Sequence, residues 1–289
     1  MTELPKIGAF VLETLTTGMY TNPLDTVREF VQNASDSILL AQKSQLLLPN
    51  TGRIEIQIDP ARRRFVVRDN GAGIPESMVH KRLINVGMSD KVLAASAGFR
   101  GIGRLAAIAY CKKLTFLTSA PGEDVVSAVE IDCESLRKAI LPAMRQVEEL
   151  ADVMQRYSRV FQERRTKSTH FFQVEMDGVA ESASQFLDWQ ELEVYLGQVA
   201  PVAFDAQRFL YAPRITEWVR AQGLSLPVTT VVIKAPNAER EVFKPYQTRN
   251  RTSHVRGGNF DFYVKDICFY PEHVTPESTF WVWYGKTDL

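Results

Sequence analysis

The sequence predicts an α/β fold, and three observations carry that prediction. One is a helical segment, DTVREFVQNASDSILLAQ, in which Val27, Phe30, Val31, Ala34 and Ile38 fall on one face. Another is a pair of strand-like runs, RIEIQID and RFVVRDN, split by a turn at Asp59-Pro60; Ile54, Ile56 and Ile58 alternate with polar residues. Last is a glycine-punctuated stretch from Gly71 to Gly103, after which helix and strand patterns resume.

In chain order, Leu4 to Met19 has apolar residues at helical spacing. A break follows at Thr21-Asn22-Pro23, where Asn22 can cap and Pro23 can occupy the first turn of the next helix. A short helix is expected over Glu76–Asn85, a buried helix at GRLAAIAYC, and a strand at KLTFLTSA. Residues 134–167 are charged and helical in pattern, an elaboration broken or restarted at Pro142. FFQVEM reads as a strand, Ser184–Gln198 as a helix, and VTTVVIKA as a very apolar strand. The last run, FWVWYGKTDL, reads as a strand stopped partway, so a fragment of a longer protein is expected.

Composition bounds the function. Hydrophobic residues make up 45% and charged residues 24% of the 289, ordinary for a globular chain with a substantial core. Lys+Arg and Asp+Glu balance at 34 each, so net charge gives nucleic-acid binding no support, although a local patch stays open. Arg62-Arg63-Arg64 is such a patch, or the solvated tip of a hairpin. Cys111, Cys133 and Cys268 form neither a metal spacing nor a disulfide framework, which suits a reducing cytoplasm. No apolar run approaches the ~20 residues of a membrane span, and no secretory leader is visible.

Three elements carry chemistry. Glu29, Asn33 and Asp36 share one helix face, four and three residues apart, beside the apolar stripe. Acidic residues on a helix are usually a solvated surface, so this face alone decides little. Asp69-Asn70-Gly71-Ala72-Gly73 follows a strand; a carboxylate there can accept from an exocyclic amine, and the glycines let backbone approach a flat ring. A plain Asn-Gly turn is the simpler reading of the same letters. Gly98-Phe99-Arg100-Gly101-Ile102-Gly103 precedes a helical run and offers N–H groups to phosphate, without the Gly-Lys-Ser/Thr of a P-loop.

The order of the three resembles the GHKL superfamily: gyrase, heat-shock protein 90, histidine kinases and MutL. REFVQNASDSI is similar to its N box, DNGAGI to its first glycine box and GFRGIGRLA to its second, a resemblance covering roughly residues 5–180. It implies a Bergerat-type two-layer α/β sandwich at residues 1–182, a linker helix at 183–204, and part of a smaller transducer-like α/β domain at 205–289. It further implies that Asp69 takes the adenine amine, with Gly71, Gly73 and Ile74 against the base. Asn33 would ligate Mg²⁺ with Asp36 nearby, and Glu29 would orient or deprotonate the attacking water. Gly98, Phe99, Arg100, Gly101, Ile102 and Gly103 would form the phosphate lid, approached by Asn85 and Lys91. Thr169 sits where the family places a nucleotide-contacting threonine, although Ser168 replaces the usual glycine before it.

Glu29 argues against a histidine kinase, and the Ile102-Gly103 continuation resembles bacterial heat-shock-protein-90-like ATPases more than MutL. The expectation is therefore Mg-dependent ATP hydrolysis, with ATP and ADP as ligands, lid closure and a homodimer formed on ATP binding. Lys244, Arg249 and Lys286 are candidates for a second-domain cation at the γ-phosphate, although solvated surface is the simpler reading of each. The alternatives are a MutL-type DNA-repair ATPase, or a nucleotide-gated module of a defence or signalling assembly with little hydrolysis.

Overall fold

Asn22 and Pro23 start the first described helix. The Asn22 Oδ1 accepts the Leu24 N–H at 3.0 Å, and Pro23 already has helical φ and ψ. One donor that helix geometry leaves without a partner is thereby satisfied. The helix, α1 (Leu24–Lys43), buries Val27, Phe30, Val31, Ala34, Ile38 and Ala41 along one stripe. The computed structural model describes residue 8 and residues 22–84, 103–140, 149–165, 169–209, 211–223, 226, 228–246, 264–275 and 278–287. Of the predicted helix at Leu4–Met19 only Gly8 is among these residues, in an isolated antiparallel bridge with Glu149.

β1 (Arg53–Asp59) and β2 (Arg64–Asp69) form the predicted antiparallel hairpin. At its tip Arg62 pairs with Asp59, Arg63 with Glu181 at 2.8 Å, and Arg64 with Glu175 at 2.6 Å. The arginine run is thus a hairpin turn tied to carboxylates. After α2 (Glu76–Leu83) and a 3-10 helix (Gly103–Ala109) come β3 (Lys113–Ser119), β4 (Val125–Asp132), α3 (Cys133–Ala139) and α4 (Leu150–Tyr157). β5 (Ser158–Arg164), β6 (Phe171–Asp177), a second 3-10 helix (Glu181–Leu187) and α5 (Trp189–Val199) follow.

With β7 (Thr230–Ala235) and β8 (Ala238–Glu241) these strands make one eight-stranded sheet, ordered β5-β4-β3-β6-β2-β1-β7-β8. Every pair is antiparallel except β1–β7, which is parallel, so the sheet is mixed. Its apolar face, with Ile54, Ile56, Phe65, Val67, Phe116, Val129 and Val174, joins α1, α5 and both 3-10 helices in one core. The other face carries cross-strand ion pairs, including Lys234–Glu55 at 3.0 Å, Arg64–Asp177 at 3.3 Å and Lys113–Glu130 at 3.4 Å.

Three expectations change. The helical pattern of 134–167 ends at Tyr157: Ser158 turns extended and Val160 and Phe161 continue as strand β5 along β4. Branched and aromatic side chains suit a pleated edge better than another helical turn. The segment GRLAAIA is buried as expected but winds as a 3-10 helix. Residues 183–199 are packed into the core rather than standing as a linker, because Ala183, Phe186, Leu192 and Leu196 are all fully buried.

The chain groups into two compact units, Met1–Ala203 with Pro227–Phe243, and Phe204–Leu226 with Lys244–Leu289. The chain passes from the first unit to the second at Ala203–Phe204 and returns to the first unit's sheet for β7 and β8. In the second unit α6 (Ala212–Ala221) buries Ala212 and Ile215 beside Phe209, whose ring lies 5.6 Å from that of Tyr246. β9 (Val264–Thr275) and β10 (Ser278–Thr287) form an antiparallel pair.

Candidate functional site

β2 delivers Asp69 to the apolar face of the sheet, where it is 3% exposed. Such a carboxylate is costly to bury, and desolvation pushes its pKa up to about 7. Hydrogen bonds from the Gly71 and Phe172 backbone, the Arg68 charge and the Ser37 hydroxyl pull the other way; the Gly71 N–H donates to Asp69 Oδ1 at 2.8 Å. Asp69 therefore sits between its neutral and charged forms near neutral pH. A ligand N–H held there would favour the charged form, so a purine amine fits the chemistry of this site.

The loop after Asp69 is clamped on three sides. On the α1 side, the Ala72 N–H donates to the Ser37 carbonyl at 3.2 Å. On the β3 side, the Ile74 N–H donates to Thr118 Oγ1 at 2.8 Å, and that hydroxyl donates to the Phe171 carbonyl at 3.0 Å. His170 Nδ1 lies 2.7 Å from the Gly71 carbonyl oxygen.

Asn70 faces the strand instead. Its Oδ1 accepts the Arg53 N–H at 2.8 Å and its amide donates to the Thr51 carbonyl at 2.9 Å. The two glycines make room for the protein's own atoms. A Cβ on Gly71 would stand 2.3 Å from Ser37 Oγ, and one on Gly73 2.1 Å from the Ser119 carbonyl oxygen. Gly73 also has φ +67, which side chains disfavour.

On α1, Glu29, Asn33 and Asp36 are all half-buried, as a polar row beside an apolar stripe should be. Arg28 bridges two carboxylates, with Nη2 3.5 Å from Glu29 Oε1 and Nη1 3.7 Å from Asp25 Oδ1. Tyr195 on α5 donates to Asp25 Oδ1 at 2.6 Å. Burial first, then that hydrogen bond, raises the phenol pKa, so Tyr195 remains a donor.

The structure thus brings Asp69, Gly71 and Ala72 against the C-terminal half of α1, with Gly73 and Ile74 held on the β3 side. The 3-10 helix that begins at Gly103 packs on the same helix. Thr169 is exposed, one residue before His170 and two before β6. Asn85, Lys91, Gly98, Phe99, Arg100, Gly101, Ile102 and Arg249 lie outside the described residues. Lys244 belongs to the second unit, where burial lowers its pKa.

Sequence reasoning did not single out Ser37, Thr118, His170 or Tyr195. A signal existed for two of them. Thr118 interrupts the buried-face series Leu114, Phe116, and Ser37 stands one helical turn beyond Asn33.

Residues 20–158, a little under half of the 289, match the family model described as "Histidine kinase-, DNA gyrase B-, and HSP90-like ATPase". No curated protein matches the chain. The matched segment holds α1, the β1–β2 hairpin, the Asp69 loop and the 3-10 helix, and the eight-stranded mixed sheet with helices fits the GHKL α/β sandwich. The match supports the GHKL superfamily for this segment and, at the level of the family, ATP binding and hydrolysis. Among the described residues no helix is long and apolar enough to cross a membrane.

Proposed function

We propose that the first unit binds ATP with Mg²⁺ and hydrolyses it, using the residues that α1 and the Asp69 loop present. Asp69 accepts the adenine amine, Asn33 holds the metal with Asp36 beside it, and the Gly98–Gly103 segment covers the phosphates. Bound Mg²⁺ supplies charge neutralisation at the phosphate oxygens. Glu29 accepts a proton from water as its oxygen attacks the terminal phosphorus, and ADP leaves with the bonding pair.

The single observation that carries this reading is the buried Asp69 carboxyl, held beside α1 by Gly71 and Ser37. A fold has little use for a desolvated carboxylate unless a ligand donor completes it. The finer role follows the heat-shock-protein-90-like resemblance: lid closure and ATP-dependent dimerisation of a chaperone or ATP-gated clamp. That coupling requires the closed state to bind ATP better than the open one.

The test is ATP binding beside steady-state phosphate release. Asp69→Asn places an amide against the adenine amine and is expected to weaken ATP and ADP binding about 100-fold. Glu29→Ala should leave ATP affinity within about twofold while release falls about 100-fold or more. Binding unaffected by Asp69→Asn would sink the site. Release unaffected by Glu29→Ala would reassign the base.

A further inference from the structure

We propose that the outer edge of β5 pairs with the same edge of a second copy of this chain, antiparallel and centred on Phe161, without nucleotide. β5 ends the eight-stranded sheet, and among the described residues no strand pairs with its outer side. Residues 159–164 are exposed along their whole length, with Val160 at 48% and Phe161 at 50%. An edge of this kind presents a row of backbone donors and acceptors to any strand that fits.

Charge decides which strand fits. Read against itself about Phe161, the run Ser158-Arg159-Val160-Phe161-Gln162-Glu163-Arg164 sets Arg159 opposite Glu163 of the second copy, twice by symmetry. Phe161 meets Phe161, Val160 meets Gln162, Ser158 meets Arg164, and no like charges oppose. Centring on Gln162 instead would set Arg159 against Arg165, and centring on Val160 would leave both Arg159 and Glu163 without a countercharge.

Pairing with β4 puts Phe161 across from Ala128 and Val160 across from Val129. Arg159, Phe161 and Glu163 therefore share the face away from the helices, where two phenyl rings can pack between flanking ion pairs. Glu163 holds Arg165 at 3.0 Å, but both side chains are more than half exposed, so that pair yields readily. The charges that normally guard an edge against any partner here admit one, its own copy.

A single pair of short strands buries less than a standard interface of about 1,600 Å², so the dimer is weak, with Kd in the micromolar range or above. Sedimentation of the full chain without nucleotide, from about 10 to 500 µM, should show a monomer–dimer equilibrium. Arg159→Glu or Glu163→Arg alone sets like charges opposite at two places and should raise Kd about tenfold or more. The double variant Arg159→Glu/Glu163→Arg restores both pairs and should return Kd to within about threefold of wild type. Phe161→Lys should abolish pairing. A chain that stays monomeric across the range overturns the proposal. So does a dimer indifferent to the single reversals, or a double variant that melts like wild type yet stays monomeric. Omitting nucleotide keeps the result separate from any ATP-driven association.

Discussion

The two halves of α1 border opposite kinds of environment. Beside its C-terminal half, the Asp69–Ile74 loop is fixed by backbone hydrogen bonds, a buried threonine and two glycines that meet neighbouring atoms closely. Beside its N-terminal half, Asp25, Arg28 and Glu29 interact through partly exposed side chains over 3.5–3.7 Å, and Tyr195 donates to Asp25 at 2.6 Å. The first region is preorganised by burial and holds its shape unaided. The second is a charge network that solvent screens and a substrate can rearrange. In the proposed reaction, recognition uses the rigid half and chemistry the adaptable one.

The largest expected effect comes from filling the clamp. Gly73→Ala meets both a positive φ and the Ser119 carbonyl, and should destabilise the fold by about 3 kcal/mol in denaturant unfolding. Gly122→Ala, with φ +82 but open space around it, should cost about 1 kcal/mol. Equal losses at the two positions would show that backbone conformation alone, and not close approach, fixes the loop.

Next in size is Thr118→Val, which leaves the Ile74 N–H and Phe171 carbonyl without their bridge. A loss of about 2 kcal/mol is expected, with Thr118→Ser recovering most of it.

The pH dependence of ATP affinity comes third. Burial raises the Asp69 pKa to about 7 and the group must be charged to accept the amine, so affinity should fall about fivefold from pH 7 to pH 6. The sign for the ligand-free fold is opposite. The raised pKa stabilises the fold fully below the ordinary carboxyl range near 4, and that contribution is lost as pH rises through about 7. Asp69→Asn should remove both slopes, and a slope that persists unchanged in that variant would show that Asp69 is not its source.

The smallest effect is expected in the other half of the helix. Tyr195→Phe should cost about 1 kcal/mol or less, and added salt should weaken the surrounding ion pairs but not the clamp. A loss there as large as at Gly73 would erase the contrast between the two regions.

Much of this was legible in the sequence because it is local. Period-two alternation placed β1, and Asn22-Pro23 placed the start of α1, since a cap and an apolar stripe depend only on near neighbours. The Asp69-Asn70-Gly71 loop was legible as a turn. That Gly71 and Gly73 serve Ser37 and Ser119 was not, because those contacts join residues far apart in the chain. β5 was misread as helix because charged residues at its ends imitate a helical surface, and only pairing with β4 decides otherwise. Likewise β4 itself escaped notice: VVSAVEID is apolar on both faces over most of its length, and lacks the alternation that marks a half-buried strand.

The parallel pairing of β7 with β1 has a consequence for how the chain is made. Synthesis releases α1, β1 and most of the sheet first, then residues 204–226 of the other unit, and only afterwards the strand that closes the open side of β1. Until β7 emerges, Ser35 also lacks Thr229, its hydrogen-bond partner at 3.0 Å. A nascent chain must therefore protect an apolar strand edge across the whole intervening segment. Cutting the gene at residue 204, where the sequence invites a domain boundary, would make that exposure permanent.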